Sequence, residues 1–277
     1  MTTVSAPQSL QYSTATSAAR KDLVGGLLKF QLWGRIGWLD VKRRYRRTVI
    51  GPFWSSIALA VYTIAVGAVG AGLWHQNIHD YLPYLSSGMI VWTMISMIII
   101  ESCNLFILGH ALLRNVSFEY SALAYALVWR NLIIFTHNLV IYVLIILLLK
   151  PQLFNPVALI ALPGLALDLA NGVWIALLGG MLCLRFRDVQ PLVQTAIQIL
   201  MLVTPIFWTP DSLAGTRRAI FVGLNPIYRM IDVVRAPLLG EVPEPSSYLF
   251  LIGLTIVGWA VTYVIFRKFR PRISYWS

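Results

Sequence analysis

Six stretches of the chain, roughly residues 52–74, 84–108, 131–149, 156–184, 189–208 and 248–266, are apolar over lengths near twenty residues. A helix rises about 1.5 Å per residue and the hydrocarbon core of a bilayer is about 30 Å thick, so one crossing needs about 20 such residues. Recurrence of that length along most of the chain points to one polytopic membrane domain. The composition agrees: 58% of residues are hydrophobic and only 12% charged, where a soluble domain carries about 25%. The fourth stretch is long, and Pro163-Gly164 marks an expected kink. The expected fold is an all-α membrane protein with six transmembrane helices spread over residues 52–277. Before them lie a disordered cytoplasmic tail over 1–19 and an interfacial helix with a basic segment over 20–51. The tail is rich in Ser, Thr, Ala and Gln and lacks the basic start and apolar core of a cleavable signal.

Orientation follows from charge. The net charge is +11, but the basic residues sit beside apolar runs, as topology signals and headgroup contacts do, and not on one nucleic-acid-binding face. With six spans and a cytoplasmic N-terminus, 17 of the 22 Lys and Arg fall on the inner side. The short-loop rule therefore predicts both ends inside. Over residues 25–48, Leu28, Leu32, Ile36 and Leu39 keep helical spacing, with Lys29 on that stripe and Phe30 and Val41 off it. This predicts an amphipathic helix on the inner leaflet, leading into the run Lys42-Arg43-Arg44-Tyr45-Arg46-Arg47. Outside, between spans five and six, residues 213–224 and 227–239 are apolar but too short to span. Asp211 can cap the first and Asn225-Pro226 can start the second. Two short re-entrant helices over the outer mouth form either a gate or a plain amphipathic cover.

Little in the sequence suggests catalysis. It contains no GxxxxGK[ST] phosphate loop, no HExxH and no GxSxG. His75, His79, His110 and His137 are scattered, and Cys103 and Cys183 lie inside apolar runs as small hydrophobes. No catalytic or metal site is expected. Charges within spans are costly and need a reason. Glu101, about two turns from the inner end of the second span, either pairs with Arg114 or Arg130 or faces a water-filled pore. Asp168, near the middle of the fourth span with Asn171 a turn away, poses the same choice. Tyr62 and Trp92 lie deeper than an interfacial aromatic belt and suit either pore lining or helix contact. Ala68 with Gly72, and Gly172 with Ala176 and Gly180, permit close helix approach within the chain or at a dimer seam.

Five segments in order carry a resemblance. The run Lys42 to Trp54 (KRRYRRTVIGPFW) is the first, and Leu112-Leu113-Arg114-Asn115-Val116-Ser117-Phe118 the second. Arg185-Phe186-Arg187-Asp188-Val189 and Thr204-Pro205-Ile206-Phe207-Trp208 follow, then Asn225-Pro226 with Arg235. Together, from about Gly25 to the C-terminus, they resemble the permease subunits of polysaccharide ABC exporters, the type-2 family that exports O-antigen, capsule, teichoic acid or galactan precursors. Where that family often carries proline, this chain has Glu119.

The resemblance implies a homodimeric permease of the cytoplasmic membrane, with two copies of an ATP-binding cassette subunit docked beneath and lipids around it. ATP and Mg then bind the partner, and this chain holds no cofactor. It implies that residues 112–120, with Leu112, Leu113, Arg114, Asn115, Phe118, Glu119 and Tyr120, and the turn at Arg185, Arg187 and Asp188, couple to the ATPase. It places Arg43, Arg44, Tyr45, Arg46 and Arg47 at the inner mouth, where clustered guanidinium groups suit a lipid pyrophosphate. Phe207 and Trp208 join Tyr62, Trp92, Glu101 and Asp168 as channel or intramembrane polar candidates, and Asp211, Asn225, Pro226 and Arg235 belong to the outer gate. Two rivals stand beside this reading. One is a permease of the same fold for a drug or lipid. The other is an ion-coupled carrier using Glu101 and Asp168.

Overall fold

A computed structural model describes residues 8–46, 48, 50–51, 53–109, 119–210 and 222–276. The regular elements among them are all helical. In chain order they are α1 (Gln8–Leu28), α2 (Phe30–Arg44), α3 (Phe53–Leu73), α4 (Ile78–Ser102), α5 (Ser121–Leu149), α6 (Ala161–Arg185), α7 (Val189–Val203), α8 (Pro226–Leu238) and α9 (Pro245–Trp276). Two 3-10 turns, Pro151–Leu153 and Pro156–Ile160, link α5 to α6. Five helices are long and apolar enough to cross a membrane: α3, α4, α5, α6 with its leading turn, and α9. The protein is therefore a multi-pass membrane protein.

Helix α4 is the hub, in contact with α3, α5, α6, α7 and α8. Asn77 caps it, accepting from His79 N at 3.0 Å, so it starts at Ile78, before the expected residue 84. Its hydroxyls fold back onto their own helix: Ser87 donates to Tyr84 O at 2.9 Å and Thr93 to Met89 O at 2.7 Å. Such bonds let polar side chains sit in an apolar bundle without an unmatched donor. The small stripe of α6 packs against this hub. A Cβ added at Gly172 would lie 3.1 Å from Ile98, and one at Gly180 3.0 Å from Phe106. Ala176 between them is fully buried. The other small pair, Ala68 and Gly72 on α3, faces away from the bundle, with open space at Gly72.

Several boundaries differ from expectation. Residues 1–19 read as a tail, yet α1 begins at Gln8, and Ala19 is fully buried. The fourth stretch changes from 3-10 to α at Ala161, and Pro163 sits in the first turn, where its missing N–H costs nothing. The fifth stretch is a helix of only 15 residues. Thr204 is already extended (φ −78, ψ 137) ahead of Pro205, as the clash of a proline ring with the preceding residue favours. Of the two expected outer helices, the first falls largely outside the described residues. The second is α8, capped by Asn225, which accepts from Ile227 N at 3.0 Å and Tyr228 N at 3.3 Å. It is no loose cover. It packs among α4, α6 and α9 with Ile231, Val233, Val234 and Arg235 buried, and a Cβ at Gly164 of α6 would lie 2.6 Å from Val233 O.

The bundle has two distinct ends. At one, Lys150 pairs with Asp80, Tyr248 Oη donates to Ile160 O at 3.2 Å, and Tyr142 Oη donates to Leu238 O. At the other lie α1, α2, the start of α5 and the end of α9, rich in Lys and Arg.

Candidate functional site at the basic end

Helix α2 lies along α5. A Cβ at Gly37 would stand 2.8 Å from Ala126 O, so the two backbones touch there. Trp33 packs edge-on to Trp129 with ring centres 5.9 Å apart. The buried face of α2 carries Gly37 and Val41, with Asp40 partly covered beside them. Val41, off the expected apolar stripe, is inside, while Leu28 and Leu39 on that stripe are exposed, as are Phe30 and Trp38. The helix turns a polar edge inward because that edge meets charge.

The charge it meets is Glu101. Its Oε1 accepts from Arg44 Nη2 at 2.5 Å. Its Oε2 accepts from Arg130 Nη2 at 2.5 Å and from Asn131 Nδ2 at 2.9 Å. Arg130 reaches on to Asp40 Oδ2 at 3.1 Å, and Asp40 Oδ1 holds Arg43 at 3.2 Å. One carboxylate on α4 thus joins α2 to α5, with the Glu101 side chain 14% and Arg130 16% exposed. Glu101 occupies the last turn of α4 and is no deeper. Of the two partners expected for it, Arg130 is found, and Arg114 lies outside the described residues. Burial works against the charge of Arg44, but the hydrogen bond and charge of Glu101 more than offset it, and its pKa is raised.

A cavity of about 530 Å³ opens beside this network. Its lining brings Arg43, Arg44 and Arg130, with the carboxylates of Asp40 and Glu101, together with Leu105, Leu108, Leu123 and Leu127. Arg130 Nε, buried beside it, has no hydrogen-bond partner among the described residues. Tyr45 hydrogen-bonds Ser55 at 3.1 Å, anchoring the basic run to α3, and Arg46 is exposed. Arg47 lies outside the described residues.

Of the expected coupling residues, Leu112, Leu113, Arg114, Asn115 and Phe118 are outside the described residues. Glu119 is held by Lys29 Nζ at 2.7 and 2.8 Å. Partial burial opposes ionisation of this carboxyl, but the Lys29 hydrogen bond and charge keep its pKa below the usual range. Tyr120 precedes α5 and Arg270 lies over its ring at 5.4 Å. Arg185, Arg187 and Asp188 form an exposed turn between α6 and α7.

The intramembrane candidates separate. Trp92 is 4% exposed, in contact with other helices, whereas Tyr62 is 43% exposed on α3. Asp168 is 1% exposed, and neither carboxyl oxygen has a hydrogen-bond partner among the described residues. Asn171 does not reach it, bonding instead to Leu167 O, Thr255 and Trp174. At the far end, Phe207 O accepts from Tyr81 Oη at 2.7 Å and Trp208 O from Tyr84 Oη at 3.0 Å. Arg235, 3% exposed, donates to Pro205 O at 2.7 Å and lies 4.4 Å over the Tyr84 ring. Asn225 also donates to Thr204 at 3.0 Å, and Asp211 is outside the described residues.

The ABC-2 type transporter family model matches residues 31–239, well over half of the chain. The chain belongs to that family. This ABC-2 permease is a membrane subunit of a transporter, and its family implies an ATP-binding cassette partner that hydrolyses ATP. A second match, to a PEP-CTERM protein-sorting motif, covers only residues 241–268. In the permease that stretch is the turn before α9 and most of α9 itself, and it is built into the bundle. Trp259 donates to Ala170 O at 3.2 Å, and a Cβ at Gly258 would lie 2.3 Å from the Trp174 ring. No curated protein matches the chain.

Sequence reading had missed Asp22, Lys29 and Asp40 as working groups. The signal was available: acids number only 11 in a chain with 22 Lys and Arg. Any acid inside the basic segments therefore has a cationic partner close at hand.

Proposed function

We propose that the permease forms half of the channel of an ATP-driven exporter for lipid-linked polysaccharide. It works as a homodimer in the cytoplasmic membrane, with two copies of a separate ATPase subunit at the basic end. The cavity at that end carries the substrate class. Arg44 and Arg130 are already paired with Glu101, so the largely exposed Arg43 is the group there that suits a phosphate, and the leucines suit a lipid chain. Arg43 is well exposed beside it, and Arg46 and Arg47 extend the same run. Together they can take up the charge of a pyrophosphate arriving from the inner leaflet.

Six crossings account for the contacts. Helix α6 ends at the basic end and α9 starts at the far end, so the chain between them crosses once more. Helix α7 is about 22 Å long at 15 residues, and Thr204 to Trp208 completes the distance to Tyr81 and Tyr84 in the first turns of α4. Both chain ends then lie on the basic, cytoplasmic side. The uncovered face of α7 supports the dimer and its channel. Only Ile197 of this helix is buried, and Gln194, Thr195 and Gln198 are exposed. Polar side chains are costly against lipid, so this face meets a second copy or a wet path. Exposed Tyr62 on α3 is a further channel-lining group. Asn225, Pro226 and Arg235 brace the outer end of that path as its gate.

The test replaces Arg43, Arg44, Arg46 and Arg47 with Gln. Membrane insertion and assembly with the ATPase are expected to persist, while surface glycan falls and lipid-linked glycan accumulates inside. Intact glycan export by the assembled variant contradicts the lipid-phosphate assignment. Loss of drug tolerance with unchanged surface glycan would favour a drug permease.

A further inference from the structure

Asp22 is 1% exposed, and its contacts come from two parts of the chain remote from it in sequence, the start of α5 and the end of α9. Its Oδ1 accepts from Ser121 N at 3.1 Å and its Oδ2 from Tyr120 N at 3.3 Å. Arg270, near the end of α9, donates Nε to the same Oδ2 at 2.7 Å. The backbone carbonyl of Asp22 accepts from Ser121 Oγ at 2.8 Å. One turn further along α1, a Cβ at Gly26 would stand 2.1 Å from Ser121 Oγ, so backbone and side chain meet without a gap.

The arrangement is unusual for a helix start. A cap normally comes from the residue just before the helix. Tyr120 stands there and provides no side-chain cap. The cap of α5 is supplied by α1, and its charge also complements the helix dipole. Burying a carboxylate is costly unless its lone pairs are used, and here both oxygens are engaged. Asp22 and Arg270 both lie outside residues 31–239, the family-matched region, yet they meet at Tyr120 and Ser121 inside it. The Lys29–Glu119 pair ties the same segment to α1's end a second time.

We propose that Asp22 is a positioning residue that makes α1 and the end of α9 travel with the start of α5. On the reading that the segment before α5 takes its motion from the ATPase, both chain ends then belong to the coupling machinery. Asp22 passes that motion on and touches no substrate itself.

The experiment reconstitutes the permease with its ATPase subunit and compares Asp22→Ala, Asp22→Asn and Arg270→Gln with the unaltered chain. ATP hydrolysis is measured on the purified complex. Export is read in cells as surface glycan labelled by periodate oxidation and a hydrazide dye. Asp22→Ala is expected to retain the ATPase subunit and its hydrolysis while export per ATP falls about tenfold, the scale of a typical coupling between sites. Arg270→Gln, which spares the amide contacts, moves the same ratio in the same direction, and combining it with Asp22→Ala adds little. If hydrolysis and export fall in parallel with protein abundance, Asp22 only holds the fold and the proposal is overturned. An unchanged ratio in Arg270→Gln overturns it even where Asp22→Ala does not fold. If the unaltered chain retains no ATPase subunit, the coupling reading itself has failed, a result that variants at Asp22 cannot mimic.

Discussion

Glu101 shows how one acid can organise an end of the bundle. It is buried under two guanidinium groups and an amide, so Glu101→Gln leaves Arg44 and Arg130 facing each other. Removing one partner of a largely buried pair costs about 3 kcal/mol, which thermal unfolding of the detergent-solubilised protein would report as a clear loss. Asp168 behaves in the opposite way. Its carboxyl has no described partner, and burying an unmatched polar group is costly. Asp168→Asn is therefore expected to be as stable as the original or more so, by the same unfolding measurement, while Glu101→Gln is not. The Lys29–Glu119 pair gives a pH signature. The folded pKa of Glu119 lies below its ordinary value, so its contribution is present above about pH 4 and is lost as pH falls through the lower, folded value. With Lys29 half-exposed, that contribution is below about 1 kcal/mol. The stability gap between the unaltered chain and Glu119→Gln should stay constant from neutral pH down to about 5 and close in stronger acid.

Among the elements, α2 carries the clearest steric demand. Gly37→Val would force the helix off Ala126 and break the reach of Arg44 to Glu101. Overpacking of this kind costs about 1–3 kcal/mol, and Glu101→Gln made on top should then cost little more, since the same contact is already lost. At the far end, Arg235 is buried against Pro205 O and the Tyr84 ring. Arg235→Met should destabilise the Thr204–Trp208 segment by about 2 kcal/mol, seen as faster proteolysis at that segment. Much of this level was legible in the sequence. Apolar length found the spanning helices, and Asn225-Pro226 marked the start of α8 by its cap chemistry. Other features were hidden because their cause is tertiary. Helix α1 has no apolar run, and it is fixed by Tyr263 on Thr16 O and by Arg270 on Asp22, contacts across the whole chain. The inner face of α2 could not be read from hydrophobicity, since it pairs charges and sends its apolar residues outward. Pro205 was visible inside the fifth stretch, but only the Tyr81, Tyr84 and Arg235 contacts show why the helix stops there.

At the scale of the molecule, a spanning bundle hung on α4 has its charge gathered at one end and uncovered faces along α3 and α7. Among the expected coupling residues, those described stand at that charged end: Glu119 and Tyr120 on the approach to α5, and Arg185, Arg187 and Asp188 in the turn after α6. Helix α1 and the last turns of α9 meet there as well. This arrangement predicts that an ATPase subunit binds the basic end through residues 112–120 and the α6–α7 turn. The direct measurement is co-purification of the tagged chain from its native host in mild detergent, with residues 112–120 either intact or replaced. The account predicts an ATP-hydrolysing subunit that is retained by the intact chain and lost on replacement. An intact chain that carries no ATPase under any gentle condition, and whose transport collapses with the proton gradient, would contradict it.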